Sequence, residues 1–449
     1  MVNDIFYLVN FLPFFGFLLF GILTIYEFRS NLGIFSPSGL TALYALIKFS
    51  AETVLVLNYS LLFKYANKYD VYDHTAISNS FLVSFLVPSI TYIILFFSTL
   101  GVRKNYIRTE ITSSFNVMFE KSSFLKFNVI STKYILILVV GLIFFLKMIF
   151  SIGGFFVFYS DISHRYQLLA GHGLSLKLST IFIQLSFLYF FLKSYKYSVV
   201  NAYIILIFGI FILFLFGSRT PAIFLLFTSL VSVHFIYLKF KITYKLFSML
   251  ITLLIVSVYI SLLRFNELPD FSVLSFNETS FALWYGVIGA YFTHIVRDSV
   301  IISYFDKNEY WLGLGFSSLI YSFVPRSFYP EKPVIDNGLY VVAMTIGQHV
   351  EPPMLPHDLP NYGWPEGYMS GFMEGGWLGL ITVIVISSLI IAYVFTKLVK
   401  SHFKVEWLFF YSIFMFRQPL YLSNVDIFNI LFLSMVIMII ILFIKMKLN

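Results

Sequence analysis

The sequence predicts an all-α polytopic integral membrane protein with about eleven to twelve transmembrane helices. Of its 449 residues, 59% are hydrophobic and only 12% are charged, whereas a soluble globular chain carries about 25% charged residues. A soluble protein of this composition would expose apolar surface that it could not cover, and lipid is the solvent for such surface. The apolar residues also form long continuous runs, without the alternation that a transmembrane barrel requires.

Eleven of these runs are long enough, at about 20 residues, to cross a bilayer as helices. A helix satisfies the backbone polar groups of a continuous run internally, as the bilayer core demands. The first run has no basic segment before it and no small-residue cleavage site after it, so we expect it to be a retained helix. The runs are 5–26, 39–63, 80–101, 133–152, 175–192, 199–216, 221–238, 246–263, 377–396, 405–422 and 427–444.

Lysine and arginine in the connections predict which side each connection faces. One set of connections carries sixteen of these residues and the short connections of the other set carry five, so the first side is predicted to be cytoplasmic. The C-terminus is then inside, and the N-terminus outside unless a twelfth helix exists. The domains expected are helices one to eight (1–263), a large outer loop (264–376) and the C-terminal helices (377–449).

The loop 264–376 is expected to fold rather than to be a disordered linker. Residues 277–305 have helical character, but Arg297 and Asp298 within them favour an interfacial or re-entrant helix over a further span. Eight prolines between 325 and 365 forbid a long helix there. Irregular segments of this length are usually functional or disordered, and the aromatic residues Tyr329, Tyr340 and Tyr362 argue against disorder.

Three arginines in predicted outer connections are candidates for an anion site. Arg219 lies in the turn Gly217–Thr220, and Pro221 suits the first position of the next helix. A guanidinium beside a helix N-terminus suits a phosphate, although a snorkelling arginine at the interface is the alternative. Arg417 lies near the outer end of an apolar run, where arginine usually faces the protein interior or a wet cavity. Arg165 lies in a short glycine-rich loop.

Lys48 and Glu52 lie in the middle of the second run. They are four residues apart, so one helix face carries both. We expect a structural ion pair; the alternative is a role in proton or substrate handling.

Histidines and carboxylates of the loop are residue types that bind metals, but their spacing does not support a metal site. His349 and His357 with Glu351 and Asp358 match no strong metal motif, and the intervening prolines prevent a single helical face. The chain has no cysteine, and it has no P-loop, Gly-x-Gly-x-x-Gly or Asp-x-Asp motif. No metal, cofactor or nucleotide is therefore predicted. The net charge of +8 is explained by topology rather than by nucleic acid.

The outer residues together suit a particular chemistry. The predicted outer arginines suit a diphosphate, and aromatic rings with carboxylates suit a sugar; these arginines are Arg165, Arg219, Arg297, Arg326 and Arg417. A carboxylate or histidine can deprotonate an attacking hydroxyl, and basic groups stabilise a leaving diphosphate as charge develops. This combination fits glycosyl transfer from a lipid diphosphate at the outer leaflet.

Five short motifs occur along the chain. The first runs from Gly153-Gly154-Phe155-Phe156 through Arg165 to Gly171-His172-Gly173, and the second is Gly217-Ser218-Arg219-Thr220. The third is Pro325-Arg326 with Lys332-Pro333, the fourth is Pro365-Glu366-Gly367-Tyr368 followed by Gly375-Gly376, and the last is Arg417 before the final helix. In order and spacing they resemble the bacterial oligosaccharide repeat-unit polymerases, the O-antigen or Wzy-type polymerases. The resemblance runs over most of the chain, and O-antigen ligases share the general plan. That family often has twelve spans with both termini inside, where eleven are counted here.

The resemblance implies the type-C (class B) membrane glycosyltransferase fold with a large periplasmic loop, in the bacterial inner membrane. It implies undecaprenyl-diphosphate-linked oligosaccharide as substrate, with membrane lipids and a chain-length regulator protein as partners. The alternatives are an O-antigen ligase that transfers the glycan to lipid A core, and a lipid-linked oligosaccharide flippase or other transporter. By the resemblance, the residues that bind diphosphate or sugar are Arg165, Arg219, Arg326, Arg417, Lys332 and Tyr368. The base is Glu366, or else His349 or His357, and Glu374 could take the place of Glu366.

Overall fold

The computed structural model describes fifteen stretches of the chain, and every regular element within them is a helix. Seven of these helices are long and apolar enough to cross a membrane. The prediction of an all-helical chain with several membrane-spanning helices is thus confirmed for the part of the chain that the structure describes. That part comprises residues 11–30, 32–60, 62, 74–105, 129–160, 168, 172–216, 219–236, 293–322, 324, 328–329, 331–360, 363, 367–416 and 423–445.

The described α-helices are numbered here in chain order. They are α1 (Leu12–Arg29), α2 (Pro37–Leu57), α3 (His74–Ser98), α4 (Leu100–Asn105), α5 (Val129–Ser151), α6 (Phe155–Ser160), α7 (Gly173–Tyr197), α8 (Val199–Phe214), α9 (Arg219–Ile236), α10 (Ile295–Phe305), α11 (Leu314–Tyr321), α12 (Asn337–Thr345), α13 (Met369–Lys400), α14 (Val405–Phe416) and α15 (Asn424–Lys445). A short 3-10 turn covers Pro356–Asp358.

Ten of the eleven predicted runs coincide with helices of the structure. The seven candidate spans are α1, α2, α3, α5, α7, α13 and α15, and the shorter apolar helices are α8, most of α9, and α14. The one remaining run, 246–263, lies outside the described residues. Run length therefore located the helices well, because about 20 apolar residues form one bilayer-length helix.

The contacts divide the chain into two compact units. Unit 1 contains α1 to α3, α10 to α12, most of α13 and the first part of α15. In it α2 packs along α1, α10 packs against α3, and α12 packs against α10. Its larger apolar core joins residues of α3 to residues of α10 and α12 and to the start of α13. The described part of the long connection therefore shares one core with membrane-spanning helices.

Unit 2 contains α5 to α9 and α14, with the ends of α13 and α15. Here α7 packs between α5 and α8, and α9 packs against α14. The rings of Tyr134 and Tyr189 stack at 3.9 Å, and the Tyr134 hydroxyl donates to a carboxylate oxygen of Glu406 at 3.0 Å. The Lys193 ammonium donates to the Ser131 hydroxyl at 2.8 Å. Polar groups inside apolar helices need such partners, since burial without one is costly.

The described part of the long connection contains short helices, α10 to α12. α10 has 11 residues, or about 16 Å at 1.5 Å per residue, so it is too short for a twelfth span. Residues 277–292 of the predicted interfacial helix lie outside the described residues. α12 starts where the Asp336 carboxylate accepts a hydrogen bond from the Gly338 amide at 2.9 Å, which is a common way to cap a helix.

α13 is two helical segments joined by a sharp kink at Gly375 and Gly376. Gly376 has φ 59° and ψ −142°, a conformation that glycine adopts readily. The kink brings Gly379 against Gly371: a Cβ at Gly379 would lie 2.1 Å from the Gly371 carbonyl oxygen. The apolar segment after the kink starts at Trp377, where the run 377–396 was predicted to start.

Candidate functional site

A set of buried charged side chains lies inside unit 1, where two spans meet the long connection. Two cations and two carboxylates take part, with one tyrosine and one serine between them. Every member is at least 98% buried. We call it the charged cluster, and it consists of Lys48 and Glu52 of α2, Ser84 of α3, Arg297 and Asp298 of α10, and Tyr368 just before α13.

The first half of the cluster lies near the middle of two spans. The Lys48 ammonium is 3.8 Å from Glu52 Oε1, one helical turn away, so the expected ion pair is present. It also donates to the backbone carbonyl of Ser84 at 3.2 Å, and the Ser84 hydroxyl donates to Glu52 Oε1. Lys48 is the twelfth of the 21 residues of α2, so it lies about 15 Å from either helix end.

The second half comes from the long connection. Arg297 donates twice to Asp298 Oδ1, from Nε at 2.8 Å and from Nη2 at 2.5 Å. The Tyr368 hydroxyl donates to the other carboxylate oxygen, Oδ2. Charge-assisted bonds of this kind are the stronger ones in proteins. The sequence had suggested Arg297 for the outer face and a diphosphate; the structure instead buries it against Asp298.

Tyr368 joins the two halves. Lys48 Nζ lies 3.5 Å from its hydroxyl and 5.2 Å from its ring centroid, and the Arg297 guanidinium carbon lies 5.4 Å from the same centroid. Both cations are within range for attraction to the electron-rich ring. The tyrosine therefore fixes the start of α13 to α2 and α10 at once.

The charges of the cluster balance, with two positive and two negative groups. Burying an unpaired charge is strongly unfavourable, whereas a paired and hydrogen-bonded one is tolerated. His294, just before α10, leaves this balance unchanged. Burial, reinforced by the positive charges of Arg297 and Lys48, places the pKa of His294 well below its usual value, so the imidazole is neutral.

One carboxylate oxygen of the cluster has no hydrogen-bond donor among the described residues. It is Glu52 Oε2, which is buried. Buried carboxylate oxygens nearly always have one.

Comparison of the chain with protein families, with curated proteins and with solved structures finds no match.

The two candidate histidines lie on the surface of the long connection. The His349 ring nitrogen Nδ1 is 3.4 Å from the Tyr304 hydroxyl, and His357 Nε2 is 3.4 Å from the Asp358 carboxylate. Both side chains are exposed. The described residues bring no three histidine or carboxylate groups together as metal ligands.

Two residues that the resemblance assigned to substrate have structural partners in the described residues. The ammonium of the largely buried Lys332 donates to the Val324 carbonyl at 2.8 Å. Tyr368 is 1% exposed, with its hydroxyl bonded within the charged cluster. In this structure both side chains hold the connection in its fold.

The structure does not describe the side chains of the remaining predicted site residues. Arg165, Arg326, Arg417 and Glu366 lie outside the described residues, and Arg219 is the first residue of α9 with only its backbone described. Their assignment to a diphosphate site and to the base stays a prediction.

Glu374, the alternative to Glu366, has a defined structural contact. One of its carboxylate oxygens, Oε2, accepts a hydrogen bond from the Gly313 amide at 2.7 Å, and the carboxylate lies against Gly315 at the first turn of α11. A carboxylate at a helix N-terminus satisfies free amides and favours the helix dipole. Glu374 therefore caps α11.

Sequence reasoning found the pair on α2 but missed its partners. Ser84 carries no signal, because serine is common in apolar helices. Arg297, Asp298 and Tyr368 were each noted, but nothing in their spacing showed that they meet Lys48. The signal that could have found them is the rule that ionisable residues inside apolar segments face one another.

Proposed function

We propose that this chain is a membrane glycosyltransferase that polymerises a surface polysaccharide at the periplasmic side of a bacterial inner membrane. Its donor would be a growing glycan on undecaprenyl diphosphate, and its acceptor a single lipid-linked repeat unit. An acceptor hydroxyl attacks the donor's anomeric carbon, so a new C–O bond forms as the bond to the diphosphate breaks. The hydroxyl proton passes to a base, and undecaprenyl diphosphate leaves with the bonding electron pair.

The proposed roles follow the chemistry of each residue. Glu366, or else His349 or His357, takes the proton. Arg165, Arg219, Arg326 and Arg417 neutralise the diphosphate as it leaves. Motif order supports these roles, since the same residues carry the resemblance to repeat-unit polymerases.

The observation that carries the proposal is the anchoring of the long connection to the spans. Arg297, Asp298 and Tyr368 of the connection reach Lys48 in the middle of α2. The same connection presents exposed histidines and carboxylates. A transferase that acts on a lipid-linked sugar needs its polar groups held in fixed positions beside the membrane helices. The anchor supplies such a rigid support, and Tyr368 lies two residues after Glu366 in sequence.

The test is the surface polysaccharide of a strain that lacks this chain, separated by length on a gel. Loss of the polymerase leaves glycan of a single repeat unit and removes the ladder of longer chains. Loss of a ligase leaves long chains on the lipid carrier, unattached to lipid A core. Either full-length attached chains or unattached long chains in the deletion strain would reject the proposal.

A transporter of lipid-linked oligosaccharide is the second candidate, because the charged cluster lies near mid-span. Transporters place substrate and ion sites at that depth, and ionisable residues within spans commonly mark a pathway. Outer-leaflet labelling of the lipid-linked repeat unit in the deletion strain separates the two. A polymerase defect leaves single repeat units on the outer leaflet, and a flippase defect leaves none there.

A further inference from the structure

The second helix of the described connection exposes apolar side chains although it is not a span. α11 and the turns on either side of it present Leu312, Ile320 and Phe328, which are 84%, 77% and 83% exposed. No residue from 311 to 325 is charged. We call these three side chains, with Leu314 and Tyr321, the apolar patch. Soluble surfaces rarely expose contiguous apolar groups in this way, and those that do contact a partner.

The opposite face of α11 is packed inside unit 1. Gly315 and Ser318 are buried, and a Cβ at Gly315 would collide with the Glu374 carboxylate. The rings of Tyr321 and Tyr329 meet edge to face at 5.9 Å, which keeps the turn carrying Phe328 against the helix. The apolar patch is therefore held outward by a fixed backbone.

The patch lies beside the exposed apolar side chains at the start of α13's apolar segment. The backbone amides of Trp311 and Leu312 donate to the carbonyls of Met373 and Glu374, both at 3.0 Å. Four residues after Glu374, Leu378 is 77% exposed at the start of the apolar segment of α13. α11 thus starts next to the kink at which the apolar segment of α13 begins.

Three aromatic side chains near the apolar patch and the start of α13's apolar segment are partly exposed. Tyr321, Tyr329 and Trp377 are each a little over one-third exposed. Tyrosine and tryptophan with one end apolar and one end polar collect at the membrane–water interface. An uncharged apolar face flanked by such rings suits the boundary between headgroups and acyl chains.

We propose that α11 and the Phe328 turn form an interfacial element whose apolar patch is inserted among lipid acyl chains beside α13. Lipid is the occupant that the observations favour, because the patch is uncharged and continuous with the exposed face of a span. The element would tie the long connection to the membrane surface at a second place, separate from the charged cluster. This inference does not depend on the proposed enzymatic activity.

The chain has no cysteine, so each cysteine introduced carries a label alone. Full-length Leu312→Cys, Ile320→Cys and Phe328→Cys are labelled with bimane and reconstituted in phosphatidylcholine vesicles. A fraction of the lipid carries a nitroxide at carbon 5 of the acyl chain. Leu378→Cys is the lipid-exposed control, and His357→Cys, exposed on the same connection, is the water-exposed control.

Quenching at the three patch positions is expected to approach that at Leu378 and to exceed that at His357 severalfold. Aqueous iodide should quench the His357 label more than the patch labels. Patch labels quenched by lipid no more than the His357 label, and open to iodide, would overturn the proposal. So would labels shielded from both quenchers, because protein rather than lipid would then cover the patch. Three independent positions keep the result decisive if one variant is poorly made.

Discussion

At the scale of single residues, the charged cluster depends on charge balance. Lys48 and Glu52 are buried with Arg297 and Asp298, and each sign occurs twice. Removing one partner of a buried pair leaves an uncompensated charge, at a cost of about 3–5 kcal/mol. Removing a whole pair leaves the remaining two charges balanced. The energetic consequence of a substitution therefore depends on whether its partner is also replaced.

We expect Lys48→Met to reduce the amount of folded protein in the membrane, and Lys48→Met with Glu52→Leu to restore it at least in part. The single variant leaves three charges in the cluster, and the double variant leaves one complete pair. Membrane abundance and the thermal midpoint in detergent measure the effect. A single variant that accumulates normally but lacks activity would show that the pair functions in transport or catalysis instead.

Two substitutions at Tyr368 separate the contribution of its hydroxyl to stability from that of its ring. Tyr368→Phe keeps the ring beside two cations but loses the bond to Asp298, so we expect a loss of about 1–3 kcal/mol in stability. Tyr368→Leu loses both interactions and should be less stable still. Tyr329→Phe, which changes a partly exposed tyrosine of the same connection, is the matched control. Equal thermal midpoints for the wild type and Tyr368→Phe would contradict the bridging role.

At the scale of elements, the kink in α13 decides where the span begins and how the connection meets it. The carbonyl of Gly371 approaches Gly379 so closely that no side chain fits at position 379. The same kink places Glu374 at the first turn of α11. Glycine at these positions is therefore a packing requirement of two backbones rather than a source of flexibility.

Gly379→Ala should abolish or strongly reduce folded protein, since its Cβ would lie 2.1 Å from a backbone oxygen that has little room to move. Gly375→Ala is the matched control within the same kink. Its Cβ meets nothing within 4 Å, and its φ of −164° is extended backbone that any residue adopts. Size-exclusion profiles and yields of both variants in detergent make the comparison, and a normal Gly379→Ala protein would refute the described approach.

At the scale of the whole molecule, the distribution of Lys and Arg predicts one orientation in the membrane. The connection 264–376 is predicted outside and the basic connection near 241 inside. A reporter enzyme that is active only in the periplasm should therefore be active when fused after Leu312 and inactive after Lys241. A reporter that is active only in the cytoplasm, fused at the same two positions, is the control. The reverse pattern would reject both the orientation and the proposed site of glycosyl transfer.

The sequence by itself determined the class of protein and the position of most helices. Apolar run length and the lack of charge act locally, because each bilayer-length run satisfies its own backbone hydrogen bonds as a helix. For the same local reason the sequence located the Lys48–Glu52 pair, whose spacing is one helical turn. It also predicted that no long helix forms between 325 and 365, because of the prolines there.

Only the tertiary structure decided what these residues contact. Tyr368 is 320 positions from Lys48 in the chain, and no periodicity connects them; packing of α10 on α3 and the approach of α13 bring them together. The same packing buried Arg297, which the distribution of Lys and Arg among the connections had placed with the outer arginines, and made Glu374 a helix cap. Contacts between distant segments depend on how whole helices pack, whereas a spacing rule pairs only residues within one helix.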